Sequence, residues 1–394
     1  MFDPWSSAFV ASPYAAYAWL REHEPVSWFA PTGQTLISRY DDVNALLRDR
    51  RLGRTYLHLA THAEMGRPDD PEYLAPFWHL IRNGMLDREP PDHTRLRRLV
   101  SQAFTPRRVE ALRPVVERLA EDLVDGFVAK GGGDLIAAVA EPLPVTVIAE
   151  LLGVPEADRH LLRPWSAAIC GMYELNPSRE TADAAVAACL AFGDYLRHLA
   201  RVRKADPRDD LISALAAVEG LSEDELIGTC VLLLNAGHEA TVNVTGNGWW
   251  SLFRNPAQLE LLRSDPTLVP GAVEELMRYD TPLQMFERWV LDDIDVRGVP
   301  IPRGSEVALL FGSANHDPAI FAEPATLDVR RRENPHISFG AGIHFCLGAP
   351  LARIELAASY GALLRKAPRM KLLEQPRWKP GYIIRGLDGL RVSV

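Results

Sequence analysis

The sequence predicts a mostly α-helical protein with a minor β region. Helical hydrophobic periodicity dominates between about residue 94 and residue 280, in segments such as RVEALRPVVERLAEDLVDGFV and TADAAVAACLAFGDYLRHLARV. Strand-like segments lie towards the two ends, as PVSWFAP and QTLISRY early and as VRGVPIPRGSEVALLF and YIIRGLDGLRVSV late. We therefore expect an α+β layout in which both termini contribute strands.

Composition limits the classes of function. The chain has 394 residues, of which 47% are hydrophobic, so it can bury a large core, enclose a sizeable cofactor and form a single catalytic domain over residues 1–394. A net charge of −9 disfavours nucleic acid as a partner. The first residues, MFDPWSSAFV, contain no basic segment followed by an apolar run. This start predicts a cytoplasmic protein with no membrane attachment.

Two irregular segments interrupt the helical pattern. Residues 54–92 are rich in His and Pro, and they predict a mobile loop with one short helix of the kind that covers binding sites. The glycine run 131–133 predicts a flexible connection between a helix and the segment that follows.

One of the four cysteines differs from the others in its surroundings. No C-x-x-C spacing occurs, and Cys170, Cys189 and Cys230 have the pattern of small buried hydrophobic residues. Cys346 instead lies in the glycine-rich stretch FGAGIHFCLGAPLARIE, which becomes helical after it and tolerates Pro350 in the first turn. Backbone N–H groups at a helix start stabilise a thiolate, so Cys346 is the candidate metal ligand.

This stretch resembles the haem signature of the bacterial soluble cytochrome P450 family, F-x-x-G-x-[HR]-x-C-x-G. The fixed positions are filled by Phe339, Gly342, His344, Cys346 and Gly348. The resemblance implies the cytochrome P450 fold, heme b (iron protoporphyrin IX) as cofactor and Cys346 as the axial thiolate. It places against the cofactor Phe339, Gly340, His344 and Gly348.

Three alternatives remain for this segment. Cys346 could be an inert buried cysteine, or the nucleophile of a Cys/His hydrolase with His344 or His336. Cys346 and His344 are poorly placed for the hydrolase role, because only one residue separates them on the same loop. A haem-thiolate protein that binds a ligand without turnover is the third alternative.

Charged residues elsewhere fit the same resemblance. An i, i+3 pair such as Glu275 and Arg278 is ordinary on a helix, but the family buries this pair with a second arginine, here Arg331, behind the haem. The two haem propionates need cationic partners. The resemblance assigns these contacts to His93, Arg97, Arg288 and His344. Arg95 and Arg98 are expected to be solvated surface charges.

The oxygen-activating helix is expected to begin at the capping box of Ser222 and Glu225. Its middle, AGHEAT over residues 236–241, resembles the family's A-G-x-[DE]-T box, in which the glycine loosens the helix and opens a groove. Glu239 is the candidate proton relay.

Ala240 stands where the family usually has threonine. Thr241 is rotated by about a hundred degrees around the helix and is a poor substitute. Without the threonine hydroxyl, the proton-delivering water is held either by a hydroxyl or carbonyl on the substrate or by the helix backbone.

The resemblance implies a monooxygenase of secondary metabolism that hydroxylates or epoxidises a bulky, largely hydrophobic molecule of macrolide, terpenoid or steroid type, with O2 and two electrons. The implied pocket residues are Leu232, Asn235, Ala236, Leu283, Gln284, Phe286 and Ile383.

The electrons are expected to come from another protein, because the sequence contains no G-x-G-x-x-G element for a nicotinamide or flavin. The family's bacterial members usually use a small ferredoxin and its ferredoxin reductase. The expected basic docking residues are Arg107, Arg108, Arg332 and Arg353.

Overall fold

The computed structural model describes residues 2–394, in which helices dominate. The helices are α1 Ser7–Ala11, α2 Tyr14–His23, α3 Tyr40–Leu46, α4 Ala75–Ile81, α5 Asp92–Ala103, α6 Pro106–Ala111, α7 Arg113–Ala129, α8 Pro142–Leu152, α9 Leu162–Cys170, α10 Arg179–Ala205, α11 Leu211–Ala216, α12 Glu223–Arg254, α13 Pro256–Ser264, α14 Val269–Tyr279, α15 Phe311–Ala314 and α16 Ala349–Lys366. The strands are β1 Val26–Phe29, β2 Gln34–Ile37, β3 Leu52–Gly53, β4 Gly132–Asp134, β5 Phe286–Val290, β6 Ile294–Val296, β7 Val299–Ile301, β8 Glu306–Leu309, β9 Lys371–Leu372 and β10 Arg391–Ser393.

The largest sheet joins early and late parts of the chain, as predicted. Its strand order is β1-β2-β8-β5-β3. β2 runs parallel to β8 with Gln34 opposite Glu306, whereas β5 is antiparallel to β8 with Phe286 opposite Leu309. Apolar residues of these short strands contribute to a core around Ile37, Val290 and Val307.

The glycine run 131–133 is not the flexible connection that its composition predicts. Its last two residues begin β4, which pairs with β10 in a three-stranded sheet with β9. Gly132 has φ +107°, and a Cβ there would lie 2.3 Å from the carbonyl oxygen of Val392. The glycine therefore allows two backbones to approach closely, a contact that a local pattern does not reveal.

The chain divides into two compact units. The first contains residues 2–52, 113–144 and 240–394, and in it α16 packs on α7 and α14. The second contains residues 53–112 and 145–239, and in it α10 packs against α9, α4 and α11. The expected segment 54–92 lies in the second unit and contains one short helix, α4, among 3-10 turns.

No helix within residues 2–394 is long and apolar enough to cross a membrane.

Candidate active site

The cysteine loop is shaped by close backbone contacts. The Cys346 amide donates to the carbonyl of Phe339 at 3.0 Å, which folds the loop back on itself just before α16. Gly342 has φ +69°, and a Cβ there would lie 2.3 Å from the carbonyl oxygen of Leu47, so only glycine fits. The thiol of Cys346 is thereby placed just before the first turn of α16, where backbone N–H groups favour the thiolate.

The other three cysteines have a different environment. Cys170, Cys189 and Cys230 are buried, whereas Cys346 is partly exposed. Burial raises the pKa of Cys189 and of Cys230 to about 12, so both stay protonated thiols. Within residues 2–394, Cys346 is thus the cysteine with the setting of a metal ligand.

Arg288 supplies a buried cation in the same unit. It lies on β5 with only 3% of its surface exposed, and its guanidinium donates to the Glu287 carbonyl and lies 4.8 Å from the centre of the Phe286 ring. A buried guanidinium can bind a carboxylate group through charge-assisted hydrogen bonds. The donor set of this unit, a thiol at a helix start with an imidazole at His344 and a buried guanidinium, fits a thiolate-ligated haem with acidic side chains.

The structure brings Glu275, Arg278 and Arg331 together, as the resemblance implies. The two oxygens of Glu275 each accept a 2.8 Å bond from Arg278, and Arg331 donates to the same carboxylate at 3.0 Å. Glu275 and Arg278 are both fully buried. Asn334, which no sequence pattern indicated, also donates to Glu275 at 3.3 Å.

A second carboxylate, Glu274, was not singled out by the sequence. Arg353 donates to both of its oxygens, at 2.7 and 2.8 Å, and the His336 ring lies 3.1 Å away. Burial alone would raise the pKa of Glu274, but these partners lower it to about 2. Arg353, which was expected to be a docking residue, is thus paired with Glu274 within the fold.

In the second unit, α5 carries His93 and Arg97 one helical turn apart on one face. His93 is almost fully buried. The Arg95 side chain, expected to be a solvated surface charge, is 36% exposed but has a partner. Its guanidinium donates to the carboxylate of Glu225, which also accepts from Arg88 at 3.0 Å. The partner lies 130 residues along the chain, so local sequence could not reveal it.

The long helix α12 begins as predicted. Ser222 and Glu225 exchange the reciprocal bonds of a capping box at 3.1 and 3.2 Å. The helix is regular through Gly237, contrary to the expected loosening. A Cβ on Gly237 would lie 2.9 Å from Ile148, so this glycine makes room for α8 instead.

One face of α12 is open. Leu232, Ala236 and Ala240 follow one another at intervals of four residues and so lie on one side of the helix. Ala236 is exposed and the other two are partly exposed, whereas most of their neighbours on the helix are buried. Thr241 is 5% exposed and lies off this face, consistent with its poor placement as a substitute for the missing threonine. The proposed relay residue Glu239 has an unexpected neighbour, because the ring of the buried His238 lies 3.8 Å from its carboxylate.

Gln284 does not fit its assignment to the substrate pocket. It is completely buried, accepts a 2.8 Å bond from the Tyr17 hydroxyl and donates to the Thr281 carbonyl at 2.6 Å. Its amide therefore belongs to the internal structure of the unit. The sequence around Gln284 could not indicate this role, because its partner Tyr17 lies far away along the chain. Ile383 is also nearly buried, whereas Leu283 and Phe286 are partly exposed.

Comparison with known proteins agrees with these features. The family described as "Cytochrome P450" matches residues 179–367. The polyketide biosynthesis cytochrome P450 PksS of Bacillus subtilis is 39% identical, covering 100% of this chain and 98% of PksS. The chain belongs to the cytochrome P450 family.

Two further similarities extend over nearly the whole cytochrome P450 chain. The mycinamicin IV hydroxylase/epoxidase of Micromonospora griseorubida is 40% identical, over 94% of this chain and 92% of the relative. The crystal structure of P450BioI in complex with a hexadec-9Z-enoic acid ligated acyl carrier protein superposes with a TM-score of 0.93 at 36% identity, covering 99% of this chain and 100% of P450BioI. The fold is that of a cytochrome P450, and the protein is a haem b-dependent monooxygenase.

Proposed function

We propose that this cytochrome P450 hydroxylates or epoxidises a bulky, largely hydrophobic small molecule of macrolide, terpenoid or steroid type. The observation that carries the proposal is the position of Cys346, partly exposed at the start of α16, in contrast to three buried cysteines. When bound, a thiolate-ligated haem supplies the activation of O2 from which one oxygen atom enters the substrate.

The names of the relatives support the substrate class. PksS is assigned to polyketide biosynthesis, and the mycinamicin enzyme is named as both a hydroxylase and an epoxidase. The open face of α12 is formed by Leu232, Ala236 and Ala240, which are apolar and small or of medium size. Such a face suits a large apolar substrate better than a small polar one.

The chain's own residues are assigned three kinds of task. Cys346 holds the iron, and Arg288, His344, His93 and Arg97 bind the propionates. The cluster of Glu275, Arg278 and Arg331 fastens the segment that precedes the cysteine loop. Glu239, beside His238, holds the proton that is delivered at the open face of α12.

We further propose that electrons reach the haem from a ferredoxin reduced by its ferredoxin reductase. The docking residues are Arg107 and Arg332, which are exposed. Arg108 and Arg353 contribute less, because they pair with Asp209 at 3.3 Å and with Glu274 at 2.7 Å.

The ferrous–CO spectrum tests the central assignment. Cys346→Ala should abolish the red-shifted Soret band that thiolate ligation produces, since the remaining cysteines are buried. The matched control is Cys230→Ala, which should keep the band. An unchanged spectrum in Cys346→Ala would show that the thiolate assignment is wrong. Product formation with a surrogate ferredoxin and its reductase then separates a monooxygenase from a haem protein that only binds its ligand.

A further inference from the structure

Asn235, on α12, has a buried and unsatisfied amide. The residue is 3% exposed, and neither its carbonyl oxygen nor its amide nitrogen forms a hydrogen bond of normal geometry. Buried polar groups nearly always have partners, so an amide in this state marks a position where a ligand or an ordered water completes the bonding.

The part of α12 that leads to Asn235 packs against the end of the 54–92 segment. Gly228, Leu232 and Asn235 follow one another at helical spacing on one face. A Cβ on Gly228 would lie 2.7 Å from the backbone of Asn83, and one on Gly84 would lie 3.7 Å from Leu232. These close contacts fix the following 3-10 turn, Met85–Asp87, beside the same face.

Tyr173 adds a second polar group. It ends the 3-10 turn Gly171–Tyr173 that follows α9. Burial raises the pKa of Tyr173 well above its usual value, the neighbouring Cys170 and Asp87 raise it further, and Arg54 and a side-chain contact with Asn235 lower it. The phenol therefore has Asp87, Arg54 and Asn235 as neighbours and stays protonated, which makes it a hydrogen-bond donor.

The charges beside these two groups are unfavourable for an anion. The Arg54 guanidinium pairs with Asp87 at 3.4 Å, and its backbone amide donates to the buried Glu89 at 2.7 Å. The positive charge of Arg54 is thus already engaged by Asp87, with a second carboxyl group, Glu89, beside its backbone. The neighbouring Arg88 does not offset these carboxyl groups, because its guanidinium is directed at Glu225 and Asn83.

We propose that Tyr173 and Asn235, bordered by the Arg54–Asp87 pair, bind a neutral oxygen function of the substrate, a ketone or a hydroxyl, and select against a free carboxylate. Tyr173 donates to the oxygen, and the Asn235 amide donates to it or, for a hydroxyl, accepts from it. This inference rests on the proposed function and adds the chemical class of group that orients the substrate.

Two probes with the same apolar chain test it on the haem-loaded full-length protein. Methyl undecyl ketone and dodecanoic acid share an undecyl chain and differ in the group at its end. Each is titrated at neutral pH while the spin-state change of the Soret band is followed, and calorimetry gives an independent Kd. The ketone should bind about ten-fold more tightly than the acid.

Single substitutions test whether Tyr173, Asn235 and Asp87 cause the difference in affinity between the ketone and the acid. Tyr173→Phe and Asn235→Ala should each weaken ketone binding about five-fold and leave acid binding nearly unchanged. Asp87→Asn removes one negative charge and should tighten acid binding about three-fold. The matched control is Tyr195→Phe, whose hydroxyl donates to Asp158 at 2.9 Å on the same unit and which should leave both Kd values unchanged.

The possible results separate this inference from the proposed function. Equal or tighter binding of the acid, or ketone affinity that is unchanged in both Tyr173→Phe and Asn235→Ala, overturns the inference and leaves Asn235 satisfied by water alone. The proposed function survives that result if the thiolate band in the ferrous–CO spectrum is present. Absence of that band in the unmodified protein overturns the proposed function itself.

Discussion

At the scale of single residues, burial decides which ionisable groups carry charge. The same physical cause keeps Cys189 and Cys230 protonated and acts on Glu355, a carboxyl on α16 that is 2% exposed. Burial raises the pKa of Glu355 to about 8, and one of its oxygens has no hydrogen-bond partner. Glu355 is therefore mostly protonated at neutral pH.

Replacing this carboxyl by a neutral amide should stabilise the protein. Because the folded-state pKa is raised above the unfolded value of about 4.3, the native state loses stability as the pH rises from about 4.3 towards about 8. Glu355→Gln removes that loss. We expect its advantage in free energy of unfolding over the unmodified protein to be about 3 to 4 kcal/mol larger at pH 8 than at pH 5.

Urea unfolding followed by tryptophan fluorescence measures both values. Glu117→Gln, at an exposed position of α7, is the control and should show no such pH-dependent gain. A Glu355→Gln variant whose advantage does not grow with pH would show that Glu355 is ionised in the folded state.

At the scale of elements, one carboxylate at the start of α12 both caps that helix and binds the segments packed beside it. The carboxylate of Glu225 completes the capping box with Ser222 and also binds Arg88 and Arg95, so one side chain holds the end of the 54–92 segment and the helix α5. Hydrogen bonds from Arg95 and from Ser222 lower the pKa of Glu225 against the opposing effect of burial.

Loss of the Glu225 carboxylate should reduce the free energy of unfolding more than loss of the Ser222 cap alone. Ser222→Ala removes one capping bond and should destabilise the protein by about 1 kcal/mol. Glu225→Gln leaves two guanidinium groups without their anion and should cost about 3 kcal/mol. Haem should also transfer faster to apomyoglobin from Glu225→Gln than from Ser222→Ala, since α5 carries His93 and Arg97. Equal losses in the two variants would reduce Glu225 to a helix cap.

The same helix predicts how protons are delivered beside Ala240. A regular α-helix engages its carbonyls in internal bonds, which favours an oxygen on the substrate as the anchor for the delivering water. A substrate analogue without that oxygen should bind but divert electrons to hydrogen peroxide, and Ala240→Thr should partly restore its coupling. The ratio of product to NAD(P)H consumed measures this. Equal coupling of substrate and analogue in the unmodified enzyme would leave water held by the backbone.

At the scale of the whole molecule, the net charge of −9 makes local basic surfaces important for an acidic electron donor. Arg107→Glu and Arg332→Glu should each slow reduction by a ferredoxin several-fold at low ionic strength, with less effect at high salt. Arg303→Glu, on an exposed turn, is the control. Stopped-flow reduction rates that respond to neither charge reversal nor salt would remove these residues from the docking surface.

The sequence by itself determined the family and the helical character of the chain, and it predicted the axial cysteine. These depend on contiguous signals: a fixed-spacing cysteine motif, hydrophobic periodicity, and the Ser222 and Glu225 capping box. The pairing of Glu275 with Arg278 and Arg331 also followed from the sequence, because the resemblance supplied the distant partner.

Only the tertiary structure decided which polar residues are used inside the fold. Arg95 binds Glu225, Gln284 accepts a hydrogen bond from Tyr17, and Arg353 binds Glu274. The glycine run at 131–133 pairs with the strand β10. In each case the partner lies far along the chain, and the energetic requirement that a buried polar group or a strand edge be paired acts in three dimensions. Local patterns carry no information about such partners, so these residues looked like surface charges, pocket residues or a linker until the chain was folded.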